Sequence, residues 1–398
     1  MNPLLDQLQP YPFQKFSKIL SQIEPSTKHA QIRLSIGEPQ HKTPEIILEA
    51  LQNHSKKVAQ YPTTQGSIEL RSAIKAWVEN RFGIDNINAD TEILPVNGTR
   101  EALFALGQVV LSHSEPQSVV VMPNPFYQIY EGAALLAGAT PQFLNLGTDT
   151  SDGWQINELD ANTWQRTKLL YVCNPGNPTG HVMSLKEWED LFAFSDKYGF
   201  VIASDECYSE IYFDESSPPL GAITAAKLLG RDLERLIVFS SLSKRSNVPG
   251  MRSGFVCGDA DILQKFLLYR TYHGSAMNPT IQSASIVAWK DEEHVKTNRI
   301  LYKNKFDSFI DTLTPHCTIR YPSAGFYVWL KTPIDDVEFA KRLYSEYGVV
   351  VLPGSLLARD AHGINPGKNH VRIALVADQK DCDEAAQRIV NLLHGGFG

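Results

Sequence analysis

The sequence predicts an α/β fold: a large domain on a mostly parallel, doubly wound sheet, with a smaller α+β domain beside it. Three observations carry that expectation. From about residue 92 to residue 240, short apolar, β-rich runs alternate with stretches of helical periodicity, the pattern of parallel strands covered by helices on both faces. The chemically unusual residues of that region fall just after the strands, where open α/β sheets bind ligands. The 398 residues also exceed the roughly 250–300 at which a single core stops growing.

In chain order, residues 1–34 read as an arm with one amphipathic helix around 12–23, followed by Leu34-Ser35-Ile36-Gly37-Glu38-Pro39, an apolar step into a Gly/Pro turn. Residues 44–58 and 67–82 have helical periodicity, and the turn-rich Tyr61-Pro62-Thr63-Thr64-Gln65-Gly66 separates them. Strand 93–96 runs through Asn97-Gly98-Thr99-Arg100 into a helix at 101–111. Strand 118–122 ends in Pro123-Asn124-Pro125 before a helix at 130–137. Strand 168–173 ends in Asn174-Pro175-Gly176-Asn177-Pro178 before a helix at 185–198. Strand 200–204 ends in Asp205-Glu206, and strand 236–239 leads into Ser240-Ser241-Leu242-Ser243-Lys244. The second half reads as helices at 260–272, 279–289, 292–313, 336–347 and 379–393, with strands near 325–330, 349–352 and 371–376. The expected division is an arm and part of the small domain at 1–45, the large domain at 46–285 and the small domain at 286–398.

Composition narrows the function classes. A net charge of −7 (37 basic against 44 acidic residues), with no long basic run, argues against nucleic acid or an anionic membrane as the main partner. Five widely spaced cysteines without a Cys-x-x-Cys pair suit a reducing cytosol rather than a disulfide framework or a metal site. The first residues lack a basic segment leading into an apolar one, and no apolar run approaches the ~20 residues of a membrane helix. A cytoplasmic location is expected.

The chemistry centres on Lys244. A lysine at a strand end, among Ser241 and Ser243 and eight residues before Arg252, suits an amine bound covalently beside an anion. An aldehyde that carries a phosphate, pyridoxal phosphate, needs both. Such a cofactor also needs an anion cradle, a counter-charge for its pyridine nitrogen and a group facing its ring. Gly98-Thr99-Arg100, between a strand and a helix start, can offer free N–H groups and the helix dipole. Asp205 can keep a ring nitrogen protonated. Tyr208 and Asn177 can donate to the phenolic oxygen. Tyr127, or its neighbour Phe126, can face the ring. Arg372, a charge inside the apolar run Val371-Arg372-Ile373-Ala374, can hold a carboxylate through two parallel hydrogen bonds. Each residue alone also has a plain reading: a turn, a cap, core packing or a solvated charge.

Together and in this order, Asn174-Pro175-Gly176-Asn177-Pro178-Thr179-Gly180, Asp205-Glu206-Cys207-Tyr208, Ser241-Leu242-Ser243-Lys244 and Arg252 resemble the class I/II aminotransferases of pyridoxal-phosphate fold type I. Arg372 and the Ile36-Gly37 turn match as well, so the resemblance spans nearly the whole chain. It implies that Lys244 is the Schiff-base lysine and Asp205 the partner of the pyridine nitrogen, with Asn177 and Tyr208 flanking the phenolic oxygen. It implies a phosphate site of Gly98, Thr99, Arg100, Ser241, Ser243 and Arg252, and an α-carboxylate site of Arg372, Asn177 and the Gly37 backbone. Tyr61 matches a tyrosine that reaches a phosphate across a subunit boundary, which implies a homodimer with shared active sites. Two positions depart from well-studied relatives: Tyr127 stands where a tryptophan often sits, and Arg100 is basic in a loop that elsewhere uses small residues. The implied reaction is a two-step amino transfer in which Lys244, displaced by the amino acid, moves its α-proton.

Several longer segments, among them residues 123–132, 243–252 and 268–274, resemble bacterial succinyldiaminopimelate aminotransferases. That resemblance implies glutamate and N-succinyl-2-amino-6-oxoheptanedioate as substrates, in lysine biosynthesis. Such a substrate carries a carboxylate far from the reacting carbon, and Arg270 is a candidate partner for it, against the alternative of a surface salt bridge. A broad aspartate, alanine or aromatic aminotransferase, a β-lyase on the same fold and a non-enzymatic cofactor-binding regulator are the alternatives.

Overall fold

In a computed structural model of the chain, residues 1–112, 114–115, 117–146, 153–154 and 156–396 are described. The strands in chain order are β1 (Ile32–Arg33), β2 (Ile93–Val96), β3 (Val119–Asn124), β4 (Thr140–Asn145), β5 (Thr167–Cys173), β6 (Val201–Asp205), β7 (Leu236–Ser241), β8 (Gly254–Gly258), β9 (Tyr327–Lys331), β10 (Val349–Val350), β11 (Leu352–Pro353) and β12 (His370–Ala374). Seven of them form one sheet in the order β2-β8-β7-β6-β5-β3-β4. Strands β3 to β7 pair in parallel. Only β8 is reversed, antiparallel to both of its neighbours.

Apart from the edge strand β4, these strands are buried on both faces, and the period-two alternation of a strand divides their side chains between two cores. Val119 and Val121 join Ile74, Trp77, Trp188 and Trp289 on one face. Val120 and Met122 join Leu103, Tyr130, Tyr171 and Phe266 on the other. A third core packs helices Glu293–Leu313 and Gln379–His394 against the antiparallel sheet β11-β12-β9. Phe16, Ile32 and Leu34 from the arm join that third core, because β1 pairs with β10.

Element ends follow local chemistry. Ser67 caps helix Ile68–Phe82 by accepting from the Leu70 N–H at 3.2 Å, and Gly83 ends it in the left-handed conformation. Ser184 and Glu187 form a capping box at the start of helix Leu185–Tyr198.

Several sequence expectations shift. The helix expected at 12–23 stops at Leu20, ahead of Glu24-Pro25, since a proline disfavours helical backbone in the residue before it. The helix expected at 44–58 is Glu45–Asn53 followed by a 3₁₀ turn, Ser55–Ala59. The strand expected at 349–352 is two: β10 pairs with the arm and β11 with β12. Strands β4 and β8 lie outside the sequence pattern, because Thr140–Asn145 is mixed polar and Gly254–Gly258 carries two glycines. Among the described residues, no helix is long and apolar enough to cross a membrane.

Candidate active site

Sheet register decides which strand ends meet. Cys173 lies opposite Asp205, and Asp205 opposite Phe239, so the segments leaving β5, β6 and β7 emerge side by side. Gly254 pairs with both Val96 and Ser241, which brings the Gly98 turn next to the Lys244 segment. A cavity of about 510 Å³ opens at this edge.

Lys244 lies in a single helical turn, Leu242–Arg245, that continues β7 directly; Ser241 caps it by accepting from the Ser243 N–H at 3.1 Å. The side chain turns into the cavity, where Nζ donates to the Gly37 carbonyl and sits 5.2 Å from the centre of the Phe326 ring. Burial pulls the ammonium down to about 8; the Cys207 thiol opposes that shift and the Arg372 guanidinium adds to it. The neutral amine, the form that attacks an aldehyde, is therefore within reach near neutral pH. Gly37 is needed for the approach, since a Cβ there would run into the Tyr327 hydroxyl.

Asp205, at the end of β6, is 4% exposed. Its Oδ2 accepts from the Tyr130 hydroxyl at 2.8 Å and its Oδ1 from the Cys207 N–H at 3.3 Å. Burial raises its pKa, and these hydrogen bonds work in the other direction. Among the described residues no lysine or arginine makes an ion pair with it. A buried carboxylate without a cation fits a ligand that brings one, such as a protonated ring nitrogen.

The anion cradle lies at the opposite end. Gly98 has φ +81°, and a side chain there would collide with the Arg252 guanidinium. Arg252 is itself left-handed at φ 52°, with Nη1 donating to the Pro249 carbonyl at 2.8 Å and reaching the Ser243 hydroxyl at 3.5 Å. Ser241 donates to the Ser243 hydroxyl at 2.9 Å. Helix Thr99–Val110 starts here, and its first N–H groups have no intrahelical acceptor. One guanidinium, two hydroxyls and a helix N-terminus fit a phosphate.

Arg372 is 3% exposed although it lies mid-strand in β12. Nη1 donates to Asn177 Oδ1 at 3.0 Å and Nη2 to the Ser35 carbonyl at 2.8 Å, while the guanidinium sits 4.4 Å from the centre of the Tyr327 ring. Its Nε has no hydrogen-bond partner among the described residues. A carboxylate would complete this cation. Tyr208 and Tyr327 share a hydrogen bond of 3.0 Å between their hydroxyls. At the mouth, Arg100 Nε donates to the Tyr127 hydroxyl at 2.7 Å, and Phe126 and Glu38 also line the cavity.

The predicted residues thus gather at one cavity, Gly98 standing just behind its wall against Arg252, with the exception of Tyr61. That side chain is fully exposed and lines no part of its own chain's cavity. Arg270 is a correction. It neither faces the cavity nor forms a surface pair: it is 1% exposed, holds both carboxylate oxygens of Glu101 at 2.7 and 2.6 Å, and donates to the Ser275 carbonyl at 3.0 Å. Glu101 in turn accepts from the Asn97 N–H at 2.9 Å, so the pair braces the cradle from behind. Replacing Arg270 with alanine strands the Glu101 carboxylate and is expected to lower unfolding stability by about 3 kcal/mol, read from chemical denaturation.

Sequence reasoning missed Tyr130, Tyr327 and Phe326. Tyr130 lies three residues after Tyr127, one helical turn away, and that spacing could have flagged it. Tyr327 and Phe326 sit in an apolar run and carry no such signal.

Comparison with known proteins decides the family. The model of aminotransferases of class I and II matches residues 29–389. The chain belongs to the class I and II aminotransferases. An aminotransferase structure from Neisseria meningitidis Z2491 is 50% identical, with a TM-score of 0.96, covering 98% of this chain and 100% of that one. One from Helicobacter pylori 26695 is 34% identical, with a TM-score of 0.89 and the same coverage. An LL-diaminopimelate aminotransferase of Nitratidesulfovibrio vulgaris (strain Hildenborough) is 30% identical over 396 residues, 98% of each chain. This aminotransferase is therefore a pyridoxal-phosphate enzyme, as its family is.

Proposed function

We propose that the enzyme transfers an amino group between glutamate and a 2-oxo acid with a second, distant carboxylate, N-succinyl-2-amino-6-oxoheptanedioate being the first candidate. The observation that carries this reading is the charge inventory of one cavity: an amine of lowered pKa, a buried carboxylate without a cation, and guanidiniums without carboxylates. When bound, pyridoxal phosphate supplies an aldehyde that condenses with amines and a ring that accepts the electron pair left by the departing α-proton.

The protein's residues divide the remaining work. Gly98, Thr99, Ser241, Ser243 and Arg252 hold the phosphate, together with the Arg100 backbone. Asp205, fixed by Tyr130, keeps the ring nitrogen protonated. Tyr208 and Asn177 flank the phenolic oxygen, and Tyr127 covers the ring. Arg372, Asn177 and the Gly37 segment orient the substrate α-carboxylate, which aims the α-hydrogen at Lys244. Lys244 Nζ takes that proton as a base and, as the ammonium, returns it as an acid.

Arg100 is the cation available for the distant carboxylate, since among the described residues only its Nε is committed, to Tyr127. Arg100→Ala is expected to raise KM for the succinylated substrate about tenfold or more, the worth of a charge-assisted hydrogen bond, and to leave alanine as a donor nearly unaffected. An equal change for both would remove Arg100 from the distal subsite.

The 30% identity to an LL-diaminopimelate aminotransferase over 98% of the chain favours a second reading, in which the distant end is a free amino acid. Glu38 at the mouth could then face its ammonium. A panel of glutamate, LL-diaminopimelate and alanine against succinylated and free oxo acids separates the two: turnover with only simple oxo acids defeats both. The homodimer with Tyr61 reaching the partner's phosphate, the boundaries at about residues 45 and 285, and a cytoplasmic location belong to this reading. The fully exposed Tyr61 and the five free cysteines support it.

A further inference from the structure

The helical turn that carries Lys244 is four residues long, so its last carbonyls find no partner within the helix. The side chain of Asn298 supplies one. Its Nδ2 lies 3.4 Å from the Lys244 carbonyl and 3.5 Å from that of Arg245, a shared cap donated by helix Glu293–Leu313.

The amide can point only one way. Asn298 Oδ1 accepts from Asn247 Nδ2 at 3.0 Å and lies 2.7 Å from His41 Nδ1. His41 Nδ1 must therefore carry the proton, which leaves Nε2 bare as the acceptor for Lys305 Nζ at 2.6 Å. Burial holds the His41 pKa at about 4, so the ring stays neutral and its tautomer is set by the two neighbours. Asn298 is 2% and Lys305 3% exposed. Thr43 adds a second tie, its hydroxyl donating to the Asn247 carbonyl at 3.2 Å.

The segment that ends at His41 and Thr43 begins at the substrate side of the cavity. Its Ser35 carbonyl accepts from Arg372, and its Gly37 carbonyl accepts from Lys244 Nζ. One short stretch thus touches the carboxylate-binding arginine, the lysine amine and, through Asn298, the lysine backbone.

We propose that Asn298, oriented by His41 and Lys305, is a positioning residue that fixes the Lys244 peptide and so the place of its Nζ relative to substrate held on Arg372. The proposal rests on the reading of Lys244 as the proton-transferring lysine. Asn298 touches no reacting atom; it acts through the backbone.

The test uses the full-length, cofactor-loaded enzyme with Asn298→Asp, Asn298→Ala and His41→Ala. Asn298→Asp keeps the shape and the acceptor oxygen but cannot donate to the two carbonyls. It is expected to lower kcat by about 10–100-fold, the scale of an ångström-sized misplacement, with KM for glutamate nearly unchanged. Amide exchange in the peptide covering residues 242–247 should accelerate while β5 and β6 keep their protection. His41→Ala should give a smaller loss of the same kind. The proposal is overturned by wild-type kcat in Asn298→Asp, or by exchange that accelerates equally across the central sheet, the mark of plain destabilisation. If Asn298→Asp does not fold, His41→Ala with unchanged kcat and unchanged exchange overturns it equally. Lys244→Ala in the same assay separates the two levels: activity there defeats the lysine assignment, whereas its loss beside fully active Asn298 variants defeats only the positioning role.

Discussion

Lys244→Ala is expected to abolish amino transfer, with turnover at least ~10⁴-fold below wild type, since both the covalent attachment and the proton transfer are lost. The fold should survive, because the side chain points into a cavity rather than into packed core. Retained turnover within tenfold of wild type would sink the assignment. The wild-type protein carries a second signature of the same amine. Its lowered pKa of about 8 means that the neutral, nucleophilic form accumulates as pH rises through that value. Cofactor uptake by the cofactor-free chain should therefore accelerate with pH and level off above about 8, read by stopped-flow absorbance. A rate that still climbs toward the ordinary lysine value of about 10.4 would mean that the amine is not desolvated when the cofactor arrives.

Asp205→Ala is expected to lower kcat by about 10²–10³-fold, or roughly 3–4 kcal/mol of transition-state stabilisation. The carboxylate is buried, bears two hydrogen bonds and makes no ion pair with a lysine or arginine among the described residues, so the proposed partner for its charge is a protonated ring nitrogen. Asp205→Asn is the sharper comparison. It keeps the size and an oxygen for Tyr130 but removes the charge, and it should lose nearly as much activity as alanine. A tenfold smaller loss for asparagine would assign Asp205 to holding the ring in place rather than to its protonation state.

Much of this site was legible because its residues break the pattern around them. A lysine among serines, an arginine in an apolar strand and Asn-Pro-Gly-Asn-Pro after a strand each contradict what packing alone would choose. Strand ends in a parallel sheet then give such residues a common edge, so a one-dimensional list becomes a place. What escaped was chemistry that obeys the pattern. Tyr130 and Tyr327 are aromatic residues where aromatics belong, and only the third dimension shows their hydroxyls aimed at Asp205 and Tyr208. Arg270 misled for the opposite reason. It resembles an exposed charge, yet it is one of the most deeply buried side chains, because Glu101 and a carbonyl replace the water it gives up. Strand β8 escaped because glycine carries no strand signal.

The hydrogen bond from Arg372 to the Ser35 carbonyl joins positions 337 residues apart, and among the described residues β1 pairs only with β10. During synthesis, the arm is made long before β10 and β12 and must wait for them. The apolar side chains of Phe16, Ile32 and Leu34 have no core to enter until the last strand and helix appear. Those apolar side chains therefore stay open to misassociation while the intervening residues are made. A truncation that removes β12 also removes the Arg372 tie to the Ser35 carbonyl and leaves the arm without that anchor.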